Sequence, residues 1–456
     1  MNPYPPRRTR RRRRGPRDAR GVALLVLGQL EEEDAFLQPA LQSAAARAGL
    51  DPRDRGLALE LVMGVERWRM RLDHALAPHV RRGLDETEPT ARRVLRIAAY
   101  QLLFLDRIPA RAAVHSAVEL ARNSMGERAA GFVNGVLRGL IRGDATLPEG
   151  DDAPAIAVRT STPEWLVERW LATGGPDFAV AMAEAQNRPA PLTVRAAGPA
   201  PDRDALADRL RAEGAMVYPT RFAPDGLHIE RHPSPFEGES FRDGWWQAQD
   251  EASQLVVQLL DPRPGERIWD ACAAPGGKTR YIDRLMGAEG ALLATDVHPD
   301  KARRLERALR ERSAVEVRHH DAADGPPDAG LFDRVLLDAP CTALGIMRRH
   351  PEIKWRRQPA DIPQRAAIQQ RLLDAAAAAV KPGGLLVYSV CSDTAEEGPE
   401  QVTAFVARHP AFAVEAPPAG AVDGPGLPLD ADGTLRLDPH RHGADGFFAA
   451  RLRRRD

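Results

Sequence analysis

Two of the three cysteines in this chain of 456 residues follow apolar runs that predict buried strands. Cys341 lies in the segment DAPCT (338–342), and Cys391 lies in the segment YSVCS (388–392). A free cysteine packs well as a small apolar residue, so either thiol taken singly is consistent with a structural role. A thiolate is also a strong nucleophile, and the carboxylate of Asp338 stands close to Cys341 in the chain. The elements that position these residues must decide between core packing and covalent catalysis.

Short apolar strands alternate with helices from about residue 243 to the end of the chain. Apolar runs separated by helical stretches, such as 299–312 and 365–380, are typical of a parallel sheet that is covered on both faces. We therefore predict a doubly wound, Rossmann-like α/β domain over 243–456, closed by a strand pair. The carboxyl ends of its strands would bring both cysteines to one edge of the sheet. The predicted parallel strands are RIWDACA, ALLATDV, VEVRHHD, DRVLLDAP and GGLLVYSVC.

The ends of the first three predicted strands carry residues that suit a nucleoside ligand. In DACAAPGGKT (270–279), Gly276 and Gly277 would let the backbone approach a ligand where a helix begins. Asp296 follows at the spacing of an acid that binds ribose hydroxyls, and Asp321 is placed to accept from an adenine amine. The segment lacks the G-x-G-x-x-G fingerprint of dinucleotide sites and the spacing of a Walker A loop. S-adenosylmethionine is therefore the expected cofactor.

A methyl donor beside two cysteines and a carboxylate indicates methylation at carbon 5 of a pyrimidine. That carbon is too weak a nucleophile to attack a methylsulfonium, but addition of a thiolate at carbon 6 makes it enamine-like. A base then removes the proton on carbon 5 so that the thiol can leave, and nearby carboxyl and cationic groups favour the addition. Methylation of an amino group would favour a D/N-P-P-Y/F motif, where this chain has DAPC.

The first part of the chain predicts separate domains. Residues 21–145 carry apolar residues at three- and four-residue spacing in five or so segments, which predicts a helical bundle. A segment rich in Pro, Gly and Asp at 144–155 predicts a linker. A strand–helix–strand–strand pattern over 163–240 predicts a small α+β module, so we assign 146–242 to the linker and this module.

Charge is unevenly distributed, although the formal net charge is zero. Nine arginines stand between Arg7 and Arg20 with Asp18 as the single acid, which predicts a disordered tail over 1–20 that favours polyanions such as RNA. Because only four of the 64 basic residues are lysines, arginine is the default cation of this chain. A solvated, non-specific tail, a transit peptide and a nuclear signal are the alternatives.

Composition also restricts the compartment. No apolar run approaches the roughly 20 residues of a membrane span, and the Arg-rich start differs from a secretory signal. Three widely spaced cysteines form neither a disulfide framework nor a metal cluster. We therefore expect a cytoplasmic protein that needs no membrane and no metal.

Four segments, DACAAPGGKT, DAPCTALGIMRRHPEIKW, YSVCS and DGFFAARL, occur in this order and resemble the RsmB/Sun (Fmu) family of bacterial 16S rRNA cytosine-5 methyltransferases. The likeness covers essentially the whole of 243–456. The helical segments RIAAYQLLFL, IPARAAVHSAVELA and GFVNGVLR are similar to the NusB-like RNA-binding domain of this family. The resemblance implies an all-α NusB-like bundle, a small α+β module and a class I S-adenosylmethionine methyltransferase domain.

The resemblance also implies roles for individual residues. Cys391 would add to carbon 6 of the base, and Cys341 would assist release of the product. Asp338 and Lys278 would contact the base. The residues that would hold S-adenosylmethionine are Cys272, Ala273, Ala274, Pro275, Gly276, Gly277, Lys278, Asp296, Asp321 and Asp338.

The segment MRRHPEIKW supplies a second set of candidates. Arg348, Arg349, Lys354 and Trp355 are suited to phosphate contact and base stacking. The alternative is a solvated charged loop with a tryptophan in the core.

Three positions depart from the family pattern. Thr342 stands where PCS is usual and keeps the hydroxyl, whereas Val390 stands where STCS is usual and loses one beside the proposed nucleophile. Gly398, in AEEGPE, replaces an asparagine.

The expected function is formation of 5-methylcytosine in 16S rRNA, at a cytosine-967-type site, by a monomer that acts on naked or early-assembly RNA. The alternatives are a non-catalytic RNA-binding or ribosome-assembly factor, and the same chemistry on another RNA such as tRNA.

Overall fold

The computed structural model describes residues 18–33, 35–143, 146–198, 200–232, 234–287, 289–327, 330–417 and 426–456. The predicted Arg-rich tail lies outside these residues except for its last three. The chain divides into two compact units, Met1–Ala183 with His350–Trp355 and Glu184–Arg349 with Arg356–Asp456. Among the described residues, no helix has the length and apolar content needed to cross a membrane, and no group of His, Cys, Asp or Glu could hold a metal ion.

Helices form the described part of the first unit. Six of them occupy the region where the sequence predicts five or so. The side chain of Asp51 caps α3 by accepting from the amide of Asp54, with Pro52 in the first turn. The apolar faces bury residues such as Leu27 and Leu61 completely. The bounds are Ala19–Glu32 (α1), Leu37–Ala48 (α2), Pro52–Leu76 (α3), Pro89–Phe104 (α4), Ala110–Met125 (α5), Glu127–Arg142 (α6), Ala153–Thr160 (α7) and Glu164–Asn187 (α8), which continues into the second unit.

The second unit begins with a small antiparallel sheet in the strand order β2-β3-β1-β4. Its first three strands and their helix confirm the predicted pattern. Its fourth strand, Trp246–Ala248, lies beyond residue 243 and pairs with β1 and not with the larger sheet. A run of three residues is too short to show an alternation from which its sheet could be predicted. The bounds are Leu192–Ala196 (β1), Arg203–Ala212 (α9), Met216–Pro219 (β2), Gly226–Arg231 (β3), Glu239–Arg242 (α10) and Trp246–Ala248 (β4).

The remainder of the second unit is an α/β domain around a large sheet with the path β10-β12-β9-β8-β5-β6-β7, in which β11 pairs with β12. The four pairings among β5 to β9 are parallel, as predicted, and β11 and β12 form the closing antiparallel pair. The strands are Arg267–Asp270 (β5), Ala291–Asp296 (β6), Val315–His319 (β7), Phe332–Asp338 (β8), Val380–Val390 (β9), Phe412–Val414 (β10), Leu435–Leu437 (β11) and Phe447–Arg454 (β12). The helices in this part of the chain are Glu251–Leu260 (α11), Gly277–Leu285 (α12), Pro299–Leu309 (α13), Ile353–Arg356 (α14), Asp361–Ala378 (α15), Pro399–Arg408 (α16) and Pro439–His442 (α17). The first three residues of α14 belong to the first unit.

The order of the strands positions the site. Strand β5 lies between β6 and β8, so the chain changes direction across the sheet beside β5. Ligands of such sheets bind at this point, beyond the carboxyl ends of the strands. Trp269 and Leu337 are fully buried and fix the strands in the core, while the residues that follow each strand reach the edge.

Candidate active site

The two strand-end cysteines meet. Strands β8 and β9 are parallel, and Asp338 pairs with Ser389 in register, so the segments that follow them leave the sheet side by side. The Sγ atom of Cys341 lies 3.3 Å from the Sγ atom of Cys391. Both thiols are half-buried. Positions separated by fifty residues in the chain are thus brought into direct contact.

The carboxylate of Glu397 ties the two cysteine segments together. It is fully buried and accepts hydrogen bonds from the amide and the hydroxyl of Thr342, which follows Cys341. It also accepts from the hydroxyl of Ser392, which follows Cys391, at 2.7 Å. Thr394 and Gln369 donate two further bonds, at 3.1 and 3.0 Å. The sequence analysis did not select Glu397, although it lies in the acidic segment AEEGPE.

The contact between the thiols affects the protonation of Cys341. The pKa of Cys341 is raised well above the usual value of a thiol, first by the hydrogen bond with Cys391, then by burial and by the charge of Glu397. Cys341 therefore favours its protonated form. The pKa of the third thiol, Cys272, is also raised, chiefly because burial disfavours its charged form.

Asp338 connects the cysteine edge to the start of α12. Its Oδ2 accepts from the Nζ of Lys278 at 2.7 Å, and its Oδ1 accepts from the hydroxyl of Ser389 at 2.7 Å. The Nζ of Lys278 also lies 5.4 Å from the ring centroid of Phe447. Ser389 and Phe447 were missed by the sequence analysis. The register of β9 against β8 could not be derived without the structure.

A cavity of about 430 Å³ opens at the ends of β5, β6, β7 and β8. Asp296 and Asp321 line it, and each uses one oxygen to accept from a backbone amide of the following turn, at 2.9 Å. A carboxylate from each of two neighbouring strand ends suits the hydroxyls and amine of a nucleoside. The predicted cofactor residues that line this cavity are Cys272, Ala274, Asp296, Asp321 and Asp338.

The other predicted cofactor residues, Ala273, Pro275, Gly276, Gly277 and Lys278, form the adjacent turn and the start of α12. Gly276 has a φ of 99°, in the left-handed region that favours glycine, and a Cβ there would lie 2.3 Å from the side chain of Leu305. The turn therefore requires glycine at this position.

The cavity also has a cationic rim that the sequence analysis missed. Lys301, Arg365 and Arg371 line it together with the apolar Ile368 and Leu372. Arg365 and Arg371 lie on α15. The sequence predicts this helix but not which of its faces borders the cavity.

Arg348 and Arg349 pair with acids inside the second unit. Arg348 is buried, and its guanidinium donates to Asp445 and, at 2.8 Å, to the carbonyl of Gly443. Arg349 donates to Asp445 at 2.7 Å and to Asp250 at 2.6 Å. Although burial disfavours a charged carboxyl, the two arginines lower the pKa of Asp250. The charge of Arg348 is thus paired inside the unit, and its contact with RNA stays a prediction.

Lys354 and Trp355 are likewise held inside the first unit. Lys354 is almost fully buried, its Nζ lies 3.4 and 3.3 Å from the carbonyl oxygens of Arg67 and Ser161, and burial lowers its pKa to about 7. The indole of Trp355 donates to the carbonyl of Glu66 at 2.7 Å. These contacts hold the ammonium of Lys354 inside the unit, and its contact with phosphate stays a prediction.

Val390 occupies the position before Cys391 where the family usually has a threonine hydroxyl. Its side chain is fully buried in the hydrophobic core of the large sheet. Successive side chains of a strand point to opposite faces, and the hydroxyl of the preceding residue, Ser389, faces Asp338. Gly398 has a packing role, since a Cβ there would lie 3.0 Å from the ring of Phe448.

Comparison with known proteins finds one family model for each of three parts of the chain: the helical region, the small sheet module and the α/β domain. Residues 17–142 match the model of the NusB family, and residues 162–235 match the ferredoxin-like domain of RsmF/B-like methyltransferases. Residues 257–453 match the model described as 16S rRNA methyltransferase RsmB/F. A probable ribosomal RNA small subunit methyltransferase B of Bacillus subtilis (strain 168) is 34% identical over 96% of this chain and 98% of its own length. The chain belongs to the RsmB/F family.

Further relatives agree with this assignment. The ribosomal RNA small subunit methyltransferase B of Pseudomonas putida is 34% identical over 95% of this chain and 97% of its own length. The crystal structure of PH0851 has a TM-score of 0.80 at 26% identity and covers 95% of this chain and 98% of that one. A methyltransferase homologue from Pyrococcus horikoshii has a TM-score of 0.58 at 29% identity, over 67% of this chain and all of its own.

As a member of the RsmB/F family, the protein is an S-adenosylmethionine-dependent methyltransferase of small-subunit ribosomal RNA. The predicted fold class is confirmed: a NusB-like helical domain, a small sheet module and an α/β methyltransferase domain. RNA is therefore a partner of this protein.

Proposed function

We propose that this RsmB/F methyltransferase forms 5-methylcytosine through a covalent bond between Cys391 and the cytosine. The observation that carries the proposal is the contact of Cys391 with Cys341 at 3.3 Å, at strand ends that also present Asp338 and Lys278. Packing accounts for one strand-end cysteine. It does not account for two thiols in contact beside a charged pair and a nucleoside-sized cavity.

Each thiol has its own part in this reaction. The thiolate of Cys391 adds to carbon 6, and the electron pair that moves into the ring makes carbon 5 nucleophilic. Asp338 and Lys278 contact the base and stabilise the charge that the addition places on the ring. When bound, S-adenosylmethionine supplies the electrophilic methyl group for carbon 5. In the release step a water molecule takes the proton from carbon 5, the electron pair of that C–H bond re-forms the double bond between carbons 5 and 6, and Cys391 leaves carbon 6 as a thiolate. Cys341, whose raised pKa favours the neutral thiol, assists by donating a hydrogen bond to the departing thiolate, 3.3 Å away.

The cavity at the ends of β5 to β8 fits the cofactor. Asp296 would bind the ribose hydroxyls and Asp321 the adenine amine, and both line the cavity. The turn 272–278 would contact the ligand through its backbone, where Gly276 has the conformation that glycine favours. Asp338 lies on the side of the cavity that leads to the cysteines, so it would be near both the cofactor and the base.

The substrate we propose is 16S rRNA, naked or early in assembly, at a cytosine-967-type site. The reaction requires the target base to leave its stack or to lie in a loop, because both thiols are half-buried at the end of a sheet. We propose that the protein acts as a monomer.

The test is methyl transfer from labelled S-adenosylmethionine to naked small-subunit RNA, followed by identification of the labelled nucleoside. We expect label on carbon 5 of cytosine. C391S should abolish turnover while S-adenosylmethionine still binds in calorimetry, and C341S should accumulate a protein–RNA adduct on a denaturing gel. Label on adenine or on protein would refute the reaction, and absence of the adduct would refute the division of roles.

Two other functions predict different results. A non-catalytic assembly factor would not bind S-adenosylmethionine, and the acids that line the cavity argue against it. The same chemistry on tRNA would leave 16S rRNA unchanged. Bisulfite sequencing of total RNA, with and without the gene, separates the RNA targets.

A further inference from the structure

A second cavity, of about 190 Å³, lies inside the second unit where the small sheet meets α12 of the methyltransferase domain. We call it the arginine pocket, after Arg195, Arg280, Arg284 and Arg312, which line it. At about 30 Å³ for each water molecule, its volume equals that of about six waters, which is enough for a phosphate group. None of these arginines has a part in the methyl transfer described above.

The charges in the arginine pocket are unbalanced. Asp283 is the acid among its lining residues, and it pairs with Arg312. A further acid, Asp225, accepts at 2.8 Å from the hydroxyl of Tyr281, the residue on whose ring Arg195 stacks. Three guanidinium groups therefore remain without a carboxylate in direct contact within the described part of the chain.

Neutral oxygens hold these three guanidinium groups in place. Fully buried Arg195 donates to Gln249 at 2.7 Å, to the carbonyl of Ala196 at 2.9 Å and to Gln247 at 3.1 Å. It stacks on the ring of Tyr281 at 4.1 Å.

The two arginines of α12 have the same kind of partner. Arg284 donates to the carbonyls of Ala200 and Pro201 at 3.1 and 3.2 Å, and Arg280 makes a long contact of 3.4 Å with the carbonyl of Ala308. Such contacts orient a guanidinium without neutralising it.

The like charges oppose one another. Burial lowers the pKa of Arg195 to about 10, and the nearby Arg284 and Arg312 contribute to this lowering. Burial and the charge of Arg312 likewise lower the pKa of Arg280. An anion in the pocket would remove this repulsion and would accept from the planar donors of several guanidinium groups, for which phosphate oxygens have the matching geometry.

The arginine pocket is close to the reactive edge. Arg280 and Arg284 lie on α12, the helix whose first turn carries Lys278. Six residues of helix, from Lys278 to Arg284, span about 9 Å. Gln249, which accepts from Arg195, packs against Gly277, where a Cβ would lie 3.9 Å from its Nε2.

We propose that the arginine pocket binds a backbone phosphate of the RNA near the target nucleotide. This inference deepens the proposed function and rests on its RNA substrate. It does not depend on which atom of the RNA receives the methyl group.

The test measures binding of a 16S rRNA fragment by fluorescence anisotropy, without S-adenosylmethionine, over a range of salt concentrations. The variant is R280Q/R284Q, because both side chains lie on the rim and neither is fully buried. We expect affinity to fall on the order of tenfold, because the variant cannot make charge-assisted hydrogen bonds to phosphate. The slope of log affinity against log salt should fall by about 0.7 for each phosphate that the variant no longer neutralises.

The control is R211Q, which removes one positive charge, half of the change in R280Q/R284Q, from an exposed arginine that pairs with Asp208 on α9. It should change affinity less than twofold. Thermal unfolding and S-adenosylmethionine binding should be the same in all three proteins, which separates weaker phosphate binding from a misfolded pocket.

Three outcomes would overturn the proposal. If R280Q/R284Q and wild type have equal affinity and equal salt slope, the arginine pocket has only a structural role. An equal loss of affinity in R211Q would show that the net charge of the protein, and not the arginine pocket, causes the effect. Inorganic phosphate that binds the pocket in calorimetry without weakening RNA binding would identify a free anion as the ligand. If wild-type RNA binding is intact but label falls on another atom, the proposed chemistry fails and the phosphate site stands.

Discussion

Replacement of Lys278 by methionine tests the charged pair at the centre of the proposed mechanism. Lys278 and Asp338 lie 2.7 Å apart, and their side chains are 12% and 28% exposed, so solvent screens the pair only in part. In K278M, Asp338 keeps the hydrogen bond from Ser389 but loses the cation that would help to balance charge on the base. We expect methyl transfer to slow while the fold is retained.

The magnitude follows from the type of bond that K278M removes. A hydrogen bond to a charged group contributes about 1.5–3 kcal/mol, and each 1.36 kcal/mol is a factor of about ten in rate. If the bond acts in the transition state, kcat/KM should fall about 10- to 150-fold. Methyl transfer from labelled S-adenosylmethionine to 16S rRNA, at several RNA concentrations, measures this decrease and divides it between kcat and KM.

Lys381 provides the matched control. Its Nζ also lies 2.7 Å from a carboxylate, that of Asp333, but at the opposite ends of the strands and with side chains 43% and 31% exposed. An exposed pair contributes about 0–1 kcal/mol to stability, and K381M should leave kcat/KM within about twofold of wild type. A decrease below threefold in K278M, or equal decreases in both variants, would refute a catalytic role for the Lys278–Asp338 pair.

Three further substitutions test other parts of the structure. V390T, which restores the family's hydroxyl, should lower the free energy of unfolding by about 1–3 kcal/mol and leave kcat unchanged, since the side chain lies in the core; faster turnover would contradict this. E397Q should lower both the melting temperature and kcat, because an amide nitrogen cannot accept the bonds that hold the cysteine segments; wild-type values for both would disprove it. The folded-state pKa of Lys354, about 7, lies below its ordinary 10.5, so the unfolded state binds more protons between these values and the free energy of unfolding should rise with pH in that window. In K354M, urea unfolding at pH 7 and pH 9 should show a smaller rise, and an unchanged rise would show that another group is responsible.

Much of the catalytic domain could be predicted because its signals are local. The five parallel strands are apolar runs with an Asp or a Cys at or just after their carboxyl ends, and topology alone places those ends at one edge. The approach of Cys341 to Cys391 follows from that rule. Asp296 and Asp321 reach the cavity for the same reason, so these parts of the candidate site needed no knowledge of side-chain packing.

What the sequence could not predict is the set of contacts made by charged side chains whose partners are distant in the chain. MRRHPEIKW has the composition of a solvated basic loop, but Arg348 finds Asp445 almost a hundred residues later, and Lys354 reaches the carbonyl of Arg67 from nearly three hundred residues away. No local periodicity encodes such pairs. The hydrogen bonds to Glu397 were missed for the same reason, although each donor is an ordinary polar residue.

The five hydrogen bonds that Glu397 accepts have a consequence for how the reaction begins. The two cysteine segments lose their conformational entropy when the protein folds and not when RNA binds, because these five hydrogen bonds are formed without a substrate. The two thiols are thus pre-organised, so that in the proposed reaction a cytosine that leaves its stack would meet both thiols already in contact, at 3.3 Å. RNA binding energy can then be used to extract and orient the base.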